Sequence, residues 1–342
     1  MKIPYVIPEN AKEGEEYFLN VSFVLQDDTA WGKAGDAVAE QQFDLDFEKE
    51  AAERALDTES MQPFGESAVT ENEKEVSVKQ DDWSVTFNKE KGSLSSFKVN
   101  GKELIAEELL PNYWRAYTDN DKKESVDGNW KKANENAKID GVSVVKTEKA
   151  VYVTIDRTLP ECSNSKDSMT YTIYSSGDVF VKSTLIPATG MGDLLRVGNR
   201  VQLDESLENM TWYGRGESDS YSDRKTGYDV GVYESTVTDQ FVNYVYPQET
   251  GNKTDVRFMA LTDEEGNGLL VDATDHLLEM SALHYTQEDL QQAAHPYQLK
   301  GTKNTVLTID YAQMGLGTAS CVRLHFHSIV CWALKPIPIR II

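Results

Sequence analysis

From Trp83 onward, the chain is a succession of short apolar and β-branched segments separated by turn sequences. Trp83–Phe87 alternates apolar and polar residues, which is the pattern of a strand with one buried face. The sequences Asn100-Gly101 and Ser175-Ser-Gly-Asp178 predict tight hairpin turns. Regular short strands joined by such turns are typical of an all-β sandwich. The alternation of strands and helices that a TIM barrel requires is not found in the sequence.

Several further segments of this region fit the same pattern. One short helix is predicted at Gln287–Ala294, because Gln287 and Glu288 would occupy its first turn. The predicted fold class is therefore all-β, with a large antiparallel sandwich. The further strands are predicted at Val142–Val145, Val151–Ile155, Met169–Tyr174, Val179–Ile186, Leu195–Leu203, Val256–Leu261, Leu269–Asp272, Leu277–Leu283 and Thr305–Asp310.

Two strands are predicted ahead of this region. Tyr17–Leu25 is aromatic and β-branched, and Gln41–Phe47 places Phe43 and Phe47 on one face. A turn-rich loop around Trp31 lies between them. Two strands do not make a stable domain by themselves, so we expect the chain to start part-way through a domain.

The segments that flank the β region differ from it in composition. Residues 48–82 are rich in Glu, Ala, Ser and Lys, which predicts an acidic linker with a short helix at Glu48–Leu56. Residues 322–342 form an apolar tail interrupted by Pro336 and Pro338. This tail is predicted to form an edge strand at Val322–Trp332 or to need a partner that covers it.

Composition and charge exclude several classes of function. The 342 residues carry a formal net charge of -23, whereas proteins that bind nucleic acid or anionic membranes need clustered Lys and Arg. No apolar run is long enough to span a bilayer, and the first residues lack the apolar segment of a signal peptide. The three cysteines, Cys162, Cys321 and Cys331, form neither a zinc-site spacing nor a disulfide framework. A cytoplasmic protein is expected.

The segment 212–224 is dense in groups that could bind a polyol. Its aromatic rings could stack on the faces of a sugar, and its ionic groups could bond to hydroxyls. The same groups could instead hold together a hydrogen-bonded loop that only closes the β-fold. The candidate carbohydrate-binding residues of this segment are Trp212, Glu217, Tyr221, Asp223 and Arg224.

Two other polar segments have the same two interpretations. In 112–121, Arg115 can make a bidentate bond to Asp119 or Asp121, and two carboxylates could serve as acid and base if their separation suited a glycosidic bond. The alternative is that these side chains stabilise a tight loop. In 243–251, Glu249 could bond a sugar hydroxyl or form a structural pair with Arg224 or Arg257.

These segments carry a resemblance to a known family. The pattern Trp-x-Gly-x-Gly-x-x-x-x-Tyr-x-Asp-Arg at 212–224 resembles the C-terminal domain of glycoside hydrolase family 2 β-galactosidases of the LacZ type. The segments 112–121 and 243–251 resemble the same domain, and 29–42 resembles the end of its preceding immunoglobulin-like domain. The residues that match the family as structural motif are Trp114, Arg115, Asp119, Asn120, Asp121, Pro247 and Glu249.

A further match follows Asp310, where Met314-Gly-x-Gly precedes Ser320 and Cys321. In many family members a Trp occupies the position of Cys321, reaches into the active site of the barrel and stacks on the sugar. The resemblance therefore implies that Ser320 and Cys321 lie near the sugar. Because Cys321 replaces the Trp, stacking by this residue is not expected.

The resemblance implies a layout and a function. It implies an immunoglobulin-like remnant at 1–47, a linker at 48–82, a galactose-mutarotase-like sandwich at 83–321 and a divergent tail at 322–342. The family places its two catalytic glutamates on a preceding TIM barrel, so no catalytic residue is expected in this chain, which we expect to be inactive alone. The parent enzymes often use Mg and Na, but neither a cofactor nor a metal site is expected in this chain.

The function implied is that of a non-catalytic C-terminal domain or small subunit of a β-galactosidase, which hydrolyses terminal β-D-galactosides such as lactose. Its expected partners are the β-galactoside and a large subunit that contains the TIM barrel, or further copies of the chain. Two alternatives stay open: a free-standing carbohydrate-binding module, and an aldose epimerase-like enzyme that uses a His and a carboxylate on the sandwich face.

Overall fold

The computed structural model describes residues 5–6, 15–45, 56–124, 129–317 and 337–341. Within this part the chain divides into an N-terminal unit, Met1–Asp57, and a C-terminal unit, Thr58–Ile342. The predicted helix at Glu48–Leu56, except Leu56, lies outside the described residues. So do the predicted edge strand at Val322–Trp332 and the site residues Ser320 and Cys321.

Most of the regular elements are strands. The described part of the chain has two short α-helices, α1 (Asp119–Glu124) and α2 (Gln287–Gln292), with short 3₁₀ turns at Trp130–Lys132, Pro160–Cys162, Thr238–Gln240 and Pro296–Gln298. The strands are β1 (Phe18–Val24), β2 (Ala37–Asp44), β3 (Val69–Glu71), β4 (Glu75–Gln80), β5 (Trp83–Asn88), β6 (Ser93–Val99), β7 (Lys102–Glu103), β8 (Ile105–Asn112), β9 (Lys138–Lys146), β10 (Ala150–Leu159), β11 (Ser165–Tyr174), β12 (Val179–Ile186), β13 (Arg196–Leu203), β14 (Asn209–Arg215), β15 (Val230–Thr236), β16 (Lys253–Val256), β17 (Phe258–Thr262), β18 (Gly268–Ala273), β19 (Leu278–Leu283), β20 (Thr305–Gln313) and β21 (Ile337–Ile341).

Within its described residues, the N-terminal unit forms one antiparallel hairpin. β1 pairs with β2 in a register that sets Phe18 opposite Asp44, so both predicted strands are present with shifted bounds. Its large apolar side chains stay exposed, with Phe23 at 54%, Trp31 at 71% and Phe43 at 49%. A two-stranded hairpin has no second layer against which to bury such side chains.

The C-terminal unit is built from two large antiparallel sheets. The nine-stranded sheet has the order β15-β14-β17-β18-β21-β12-β11-β10-β9, and the ten-stranded sheet has the order β16-β19-β20-β13-β8-β6-β5-β4-β3, with β7 paired to β6. The inner faces of both sheets contribute to one apolar core. The antiparallel all-β sandwich predicted from the sequence is confirmed.

The alternation seen in the sequence determines which side chains enter this core. In β5, Trp83, Val85 and Phe87 are buried, while the intervening residues are partly exposed. Phe87 reaches the opposite sheet, where its ring lies 4.8 Å from that of Tyr171. Burial of one such side chain contributes about 1.5–3 kcal/mol, so the core is the main source of stability.

The predicted linker is wrong for residues 69–80. These residues form β3 and β4, which extend the ten-stranded sheet at its edge. Val76 and Val78 are fully buried, because pairing with β5 places both side chains over the core. Two valines among charged residues are too weak a signal to predict a strand, and the neighbouring strand decides the structure.

The predicted tail contains one described strand, β21 at 337–341, where no strand was predicted. It lies between β12 and β18 in the nine-stranded sheet. Pro338 pairs with Lys182 of β12, and the pairing with β18 begins only at Ile339. A proline has no N–H to donate to a neighbouring strand. Because Pro338 lies outside the pairing of β21 with β18, no hydrogen bond is lost from that pairing.

The predicted helix near residue 287 is confirmed as α2. Thr286 accepts a hydrogen bond from the backbone N–H of Asp289, and the Asp289 side chain bonds back to the backbone of Thr286. This reciprocal capping box fixes the start of the helix. No helix in the described part of the chain is long and apolar enough to cross a membrane.

Gly198→Ala is expected to lower the free energy of unfolding by about 1–3 kcal/mol, as overpacking of a buried site does. A Cβ at Gly198 would lie 2.1 Å from Asp310 Oδ1 and 2.5 Å from the backbone oxygen of Ile309. Urea denaturation measures the change. Gly141→Ala is the matched control, because a Cβ there meets no atom within 4 Å. Equal losses in the two variants would contradict the prediction.

Candidate functional site

A layer of buried polar side chains covers the outer face of the ten-stranded sheet. Leu307 and Ile309 of β20 belong to the core, so the neighbouring Asp310 points to the opposite face. There its carboxylate lies 2.9 Å from Arg196 Nε, and Arg196 Nη2 donates a 2.8 Å bond to Glu249. All three side chains are almost completely buried. They form a base for the polar loops, by which we mean the segments 112–121, 212–224 and 243–251.

Two carboxyl groups of this layer face each other across β19 and β20, where Glu279 is paired in register with Asp310. Burial raises the pKa of Asp310 well above its usual range, although Arg196 acts in the opposite direction. Burial also raises the pKa of Glu279 to about 7, against an opposing hydrogen bond from Asn252. Ionising both groups at once is unfavourable, so the layer is sensitive to pH.

Arg115 anchors the loop that follows β8. Its guanidinium is fully buried and makes a bidentate bond to Asp121, with Nε–Oδ2 at 2.9 Å and Nη2–Oδ1 at 3.0 Å. Of the two carboxylates considered from the sequence, Asp121 is therefore the partner. Burial acts to raise the pKa of Asp121, but the charge and hydrogen bonds of Arg115 outweigh it and hold that pKa below its ordinary value. Asp119 points to solvent and lies 3.9 Å from Lys122.

The segment 314–317, which we call the anchored segment, is held by side chains from two of the polar loops. Arg115 donates to the backbone oxygens of Met314 and Gly315, and Asn120 Nδ2 donates to that of Leu316 at 2.6 Å. Asp223 Oδ1 accepts from the backbone N–H of Leu316 at 2.9 Å. Its Oδ2 accepts from the N–H of Gly317 at 2.7 Å. These bonds fix the backbone immediately before the predicted sugar-contacting residues.

Two candidate carbohydrate-binding residues prove to be core residues. Trp212 is 1% exposed, its ring stacks on Tyr233 at 5.3 Å, and its Nε1 donates to the backbone oxygen of Arg215. Tyr221 is completely buried, with Arg224 5.4 Å from its ring. The proposed stacking of these rings on a sugar is therefore wrong. Alternation along β14 turns Trp212 inward, and sequence alone does not show which face of that strand is covered.

The remaining predicted residues of this loop have separate roles. Arg224 is paired with the buried Asp219 at 2.5 Å and contacts the Tyr244 hydroxyl, which donates to Asp219 at 2.9 Å. Glu217 is exposed, and its backbone oxygen accepts a bond from the buried Lys253. Burial lowers the pKa of Lys253 to about 8. Arg224 thus lies closer to the surface than the buried aromatic residues Trp212 and Tyr221.

The segment 243–251 is anchored through Glu249. Its carboxylate pairs with Arg196 rather than with Arg224 or Arg257, and its backbone N–H donates to the carbonyl of Ala116 at 3.1 Å. The structural interpretation of Glu249 is therefore the one that the geometry supports, with a different partner. Pro247 is buried beside it. Trp114 is also buried and has Lys131 Nζ 4.9 Å from its ring.

These loops line an open cavity of about 790 Å³. The cavity combines amide, hydroxyl, carboxylate and guanidinium groups with backbone of the anchored segment, a mixture suited to a hydroxylated ligand. The lining residues are Thr118, Asp119, Asn120, Lys122, Arg224, Tyr244, Gln248, Glu249, Leu316 and Gly317. Of the residues predicted from the sequence, Asp119, Asn120, Arg224 and Glu249 meet here, whereas Trp212, Glu217, Tyr221 and Pro247 do not.

The described residues do not fit a resident metal ion. Within them, no group of three or more His, Cys, Asp or Glu side chains is arranged to hold one. The carboxylates of the polar layer are bonded to arginines instead.

Sequence reasoning missed Arg196 and Glu279 as members of the site. Both lie inside strands, and their partners are distant in sequence: Arg196 is bonded to Glu249 and Asp310, and Glu279 to Asn252. An isolated charge inside a predicted strand, such as Arg196 in β13, is the one available signal. A buried strand rarely contains a charge without a partner.

Two protein-family models match the chain. The β-galactosidase small-chain family matches residues 79–332, so the match extends beyond Cys321, where the recognised sequence pattern ends. Domain 4 of β-galactosidase matches residues 1–46. The chain belongs to the β-galactosidase small-chain family.

Relatives and solved structures give further similarities. A β-galactosidase of Priestia megaterium is 31% identical over 93% of this chain, and one of Lactobacillus delbrueckii subsp. bulgaricus is 31% identical over 91%. The chain spans 30% of the length of each. A crystal structure of galactose 1-epimerase from Lactobacillus acidophilus is similar to 78% of this chain and 92% of that chain. Its TM-score is 0.42 and its identity is 8%.

Asp223→Asn is expected to loosen the anchored segment. The amide places an N–H₂ group against a backbone N–H of Leu316 or Gly317, and the lost bond costs about 1–3 kcal/mol. Hydrogen exchange at these two amides should become faster. Asp193→Asn serves as control, because Asp193 is exposed. Unchanged exchange at Leu316 and Gly317 would show that Asp223 does not hold the segment.

Glu279→Gln is expected to change the pH dependence of stability. In the wild type, the unfolded carboxyl ionises near its ordinary pKa of 4.5, whereas the folded one stays protonated up to about 7. Stability contributed by this group is therefore complete below pH 4.5 and is lost as the pH rises through 7. The variant lacks this loss, so its stability relative to wild type should rise by about 2–3 kcal/mol between pH 4 and pH 8.

Urea denaturation at both pH values measures this difference. Glu90→Gln is the control, because Glu90 is an exposed glutamate at the β5–β6 turn. A relative stability of Glu279→Gln that does not change between pH 4 and pH 8 would refute the assignment.

Proposed function

We propose that this chain is a non-catalytic C-terminal part or small subunit of a family 2 β-galactosidase, and that it shapes the sugar site and supports assembly of the enzyme. The parent reaction is hydrolysis of terminal β-D-galactosides such as lactose. Membership of the small-chain family and the 30% share of the relatives' length support this proposal. The catalytic carboxylates are then supplied by a larger part that contains a TIM barrel.

The observation that carries the site-shaping role is the anchored segment. Four side-chain bonds from Asn120, Asp223 and Arg115 hold the backbone of residues 315–317. Ser320 and Cys321 follow within four residues. The resemblance places Ser320 and Cys321, which lie outside the described residues, near the sugar. A rigid segment ahead of them supports a shaping role, because preorganised groups position a substrate better.

Cys321 gives this chain a different contact from that of family members with a Trp. A Trp at this position offers a flat apolar ring on which a sugar face can stack. A cysteine is smaller and lacks the ring. In this chain the cavity groups Asn120 and Arg224 would supply part of the hydrogen bonding to the sugar.

The proposed location is the cytoplasm. The low number of cysteines and the absence of paired spacing support a reducing compartment. The thiol of Cys162 is buried and donates to the backbone oxygen of Asn129.

Reconstitution tests the proposed function. Hydrolysis of a chromogenic β-galactoside is measured with the chain alone, with the barrel-containing large part of the enzyme from the same source alone, and with the mixture. Activity is expected only in the mixture, because each part would lack groups that the other supplies. No gain on mixing would refute the proposal, and sugar binding or mutarotation by the chain alone would favour the carbohydrate-binding module or the epimerase.

A matched pair of variants separates shaping from assembly. Asp223→Asn in the mixture should lower activity while association with the large part stays unchanged, because the loosened segment would shift the cavity lining at Leu316 and Gly317. Asp193→Asn should behave as wild type. Equal activity of the two variants would show that the anchored segment does not shape the sugar site.

A further inference from the structure

The tip of the loop 241–251 is an exposed apolar pair. Val245 is 92% exposed and Tyr246 is 37% exposed. Among the described residues of the C-terminal unit, no other two consecutive large apolar residues are both exposed. Single exposed apolar residues are common on protein surfaces, but an adjacent pair at a loop tip leaves a larger apolar area in water.

The base of this loop is held rigidly. Thr250 Oγ1 accepts from the backbone N–H of Val242 at 3.2 Å and donates to its backbone oxygen at 3.1 Å. Glu249 is bonded to Arg196 and, through its backbone, to Ala116. The loop is therefore closed across its base and bound to the polar layer, so the exposed tip does not result from a lack of structure below it.

The tip itself is oriented by neighbouring groups. Lys122 Nζ lies 3.5 Å from the centroid of the Tyr246 ring, and Gln248 Nε2 donates to the Tyr246 backbone oxygen at 3.1 Å. A cation over a ring is worth about 0.5–1 kcal/mol at an exposed site. An apolar group already fixed in place loses little conformational entropy on binding, which favours a tight contact.

The tip borders the cavity described above. Lys122, Tyr244 and Gln248 line that cavity together with Leu316 and Gly317 of the anchored segment. A partner that closes over the anchored segment would therefore meet Val245 and Tyr246 at the same time. The relatives contain more than twice as many residues outside the matched region as inside it, since the chain spans 30% of their length.

We infer that Val245 and Tyr246 dock into an apolar pocket of the large catalytic part of the β-galactosidase, beside the cavity. This inference rests on the proposed function and names the surface through which the two parts meet. An interface gains affinity from a rigid apolar contact at its centre and orientation from the hydrogen-bonding groups around it.

Val245→Asp tests the docking surface in the reconstituted enzyme. The carboxylate would have to be buried in an apolar pocket, so the dissociation constant for the large part should rise at least about tenfold. Val145→Asp is the matched control: Val145 is 57% exposed and lies on β9 at the far edge of the nine-stranded sheet. It should bind as wild type does. Isothermal titration calorimetry with the purified large part measures all three dissociation constants.

The outcomes are distinguishable. If the wild type binds and Val245→Asp binds equally well, the docking surface is wrong while the proposed function stands. Equal weakening by Val145→Asp would show a general charge effect and would also overturn the inference. If the wild type does not bind the large part, the proposed function fails. Val245→Ser, with a smaller expected loss and no added charge, checks that the effect follows the loss of apolar surface.

Discussion

The polar loops on the outer face of the ten-stranded sheet depend on the bonds made by the guanidinium of Arg115. It is buried, it is paired with Asp121, and its remaining N–H groups reach the backbone of Met314 and Gly315. An arginine is suited to this role because its planar fork presents five donors in fixed directions and stays charged when buried. One side chain therefore joins the loop after β8 to the segment after β20, which are far apart in sequence.

Arg196 is a second buried arginine that joins distant parts of the chain, because it bridges Glu249 and Asp310. The two arginines and their carboxylates convert a face of the sheet into a polar foundation for loops. Buried ion pairs of this type add little net stability, because desolvation offsets most of the attraction. Their contribution is geometric: each loop has a fixed attachment point, and the cavity between the loops keeps its shape.

Much of the fold follows from the sequence, but the site follows only in part. The hairpin of β11 and β12 and the helix α2 are local features, and Arg115 and Asp121 are close enough in sequence to be paired by inspection. The burial of Trp212, the pairing of Glu249 with Arg196 and the central place of β21 depend on which elements come together in space. A strand pattern shows two faces but not which one is covered, and an ionic residue in a loop shows its charge but not its distant partner.

The position of β21 has a consequence for how the domain folds. β12 and β18 are separated by β21, so neither strand completes its hydrogen-bonding ladder until residues 337–341 arrive. Contacts between residues so far apart in sequence form slowly, because a long loop must close first. During synthesis from the N-terminus, the two halves of the nine-stranded sheet would thus present open edges until β21 inserts between them.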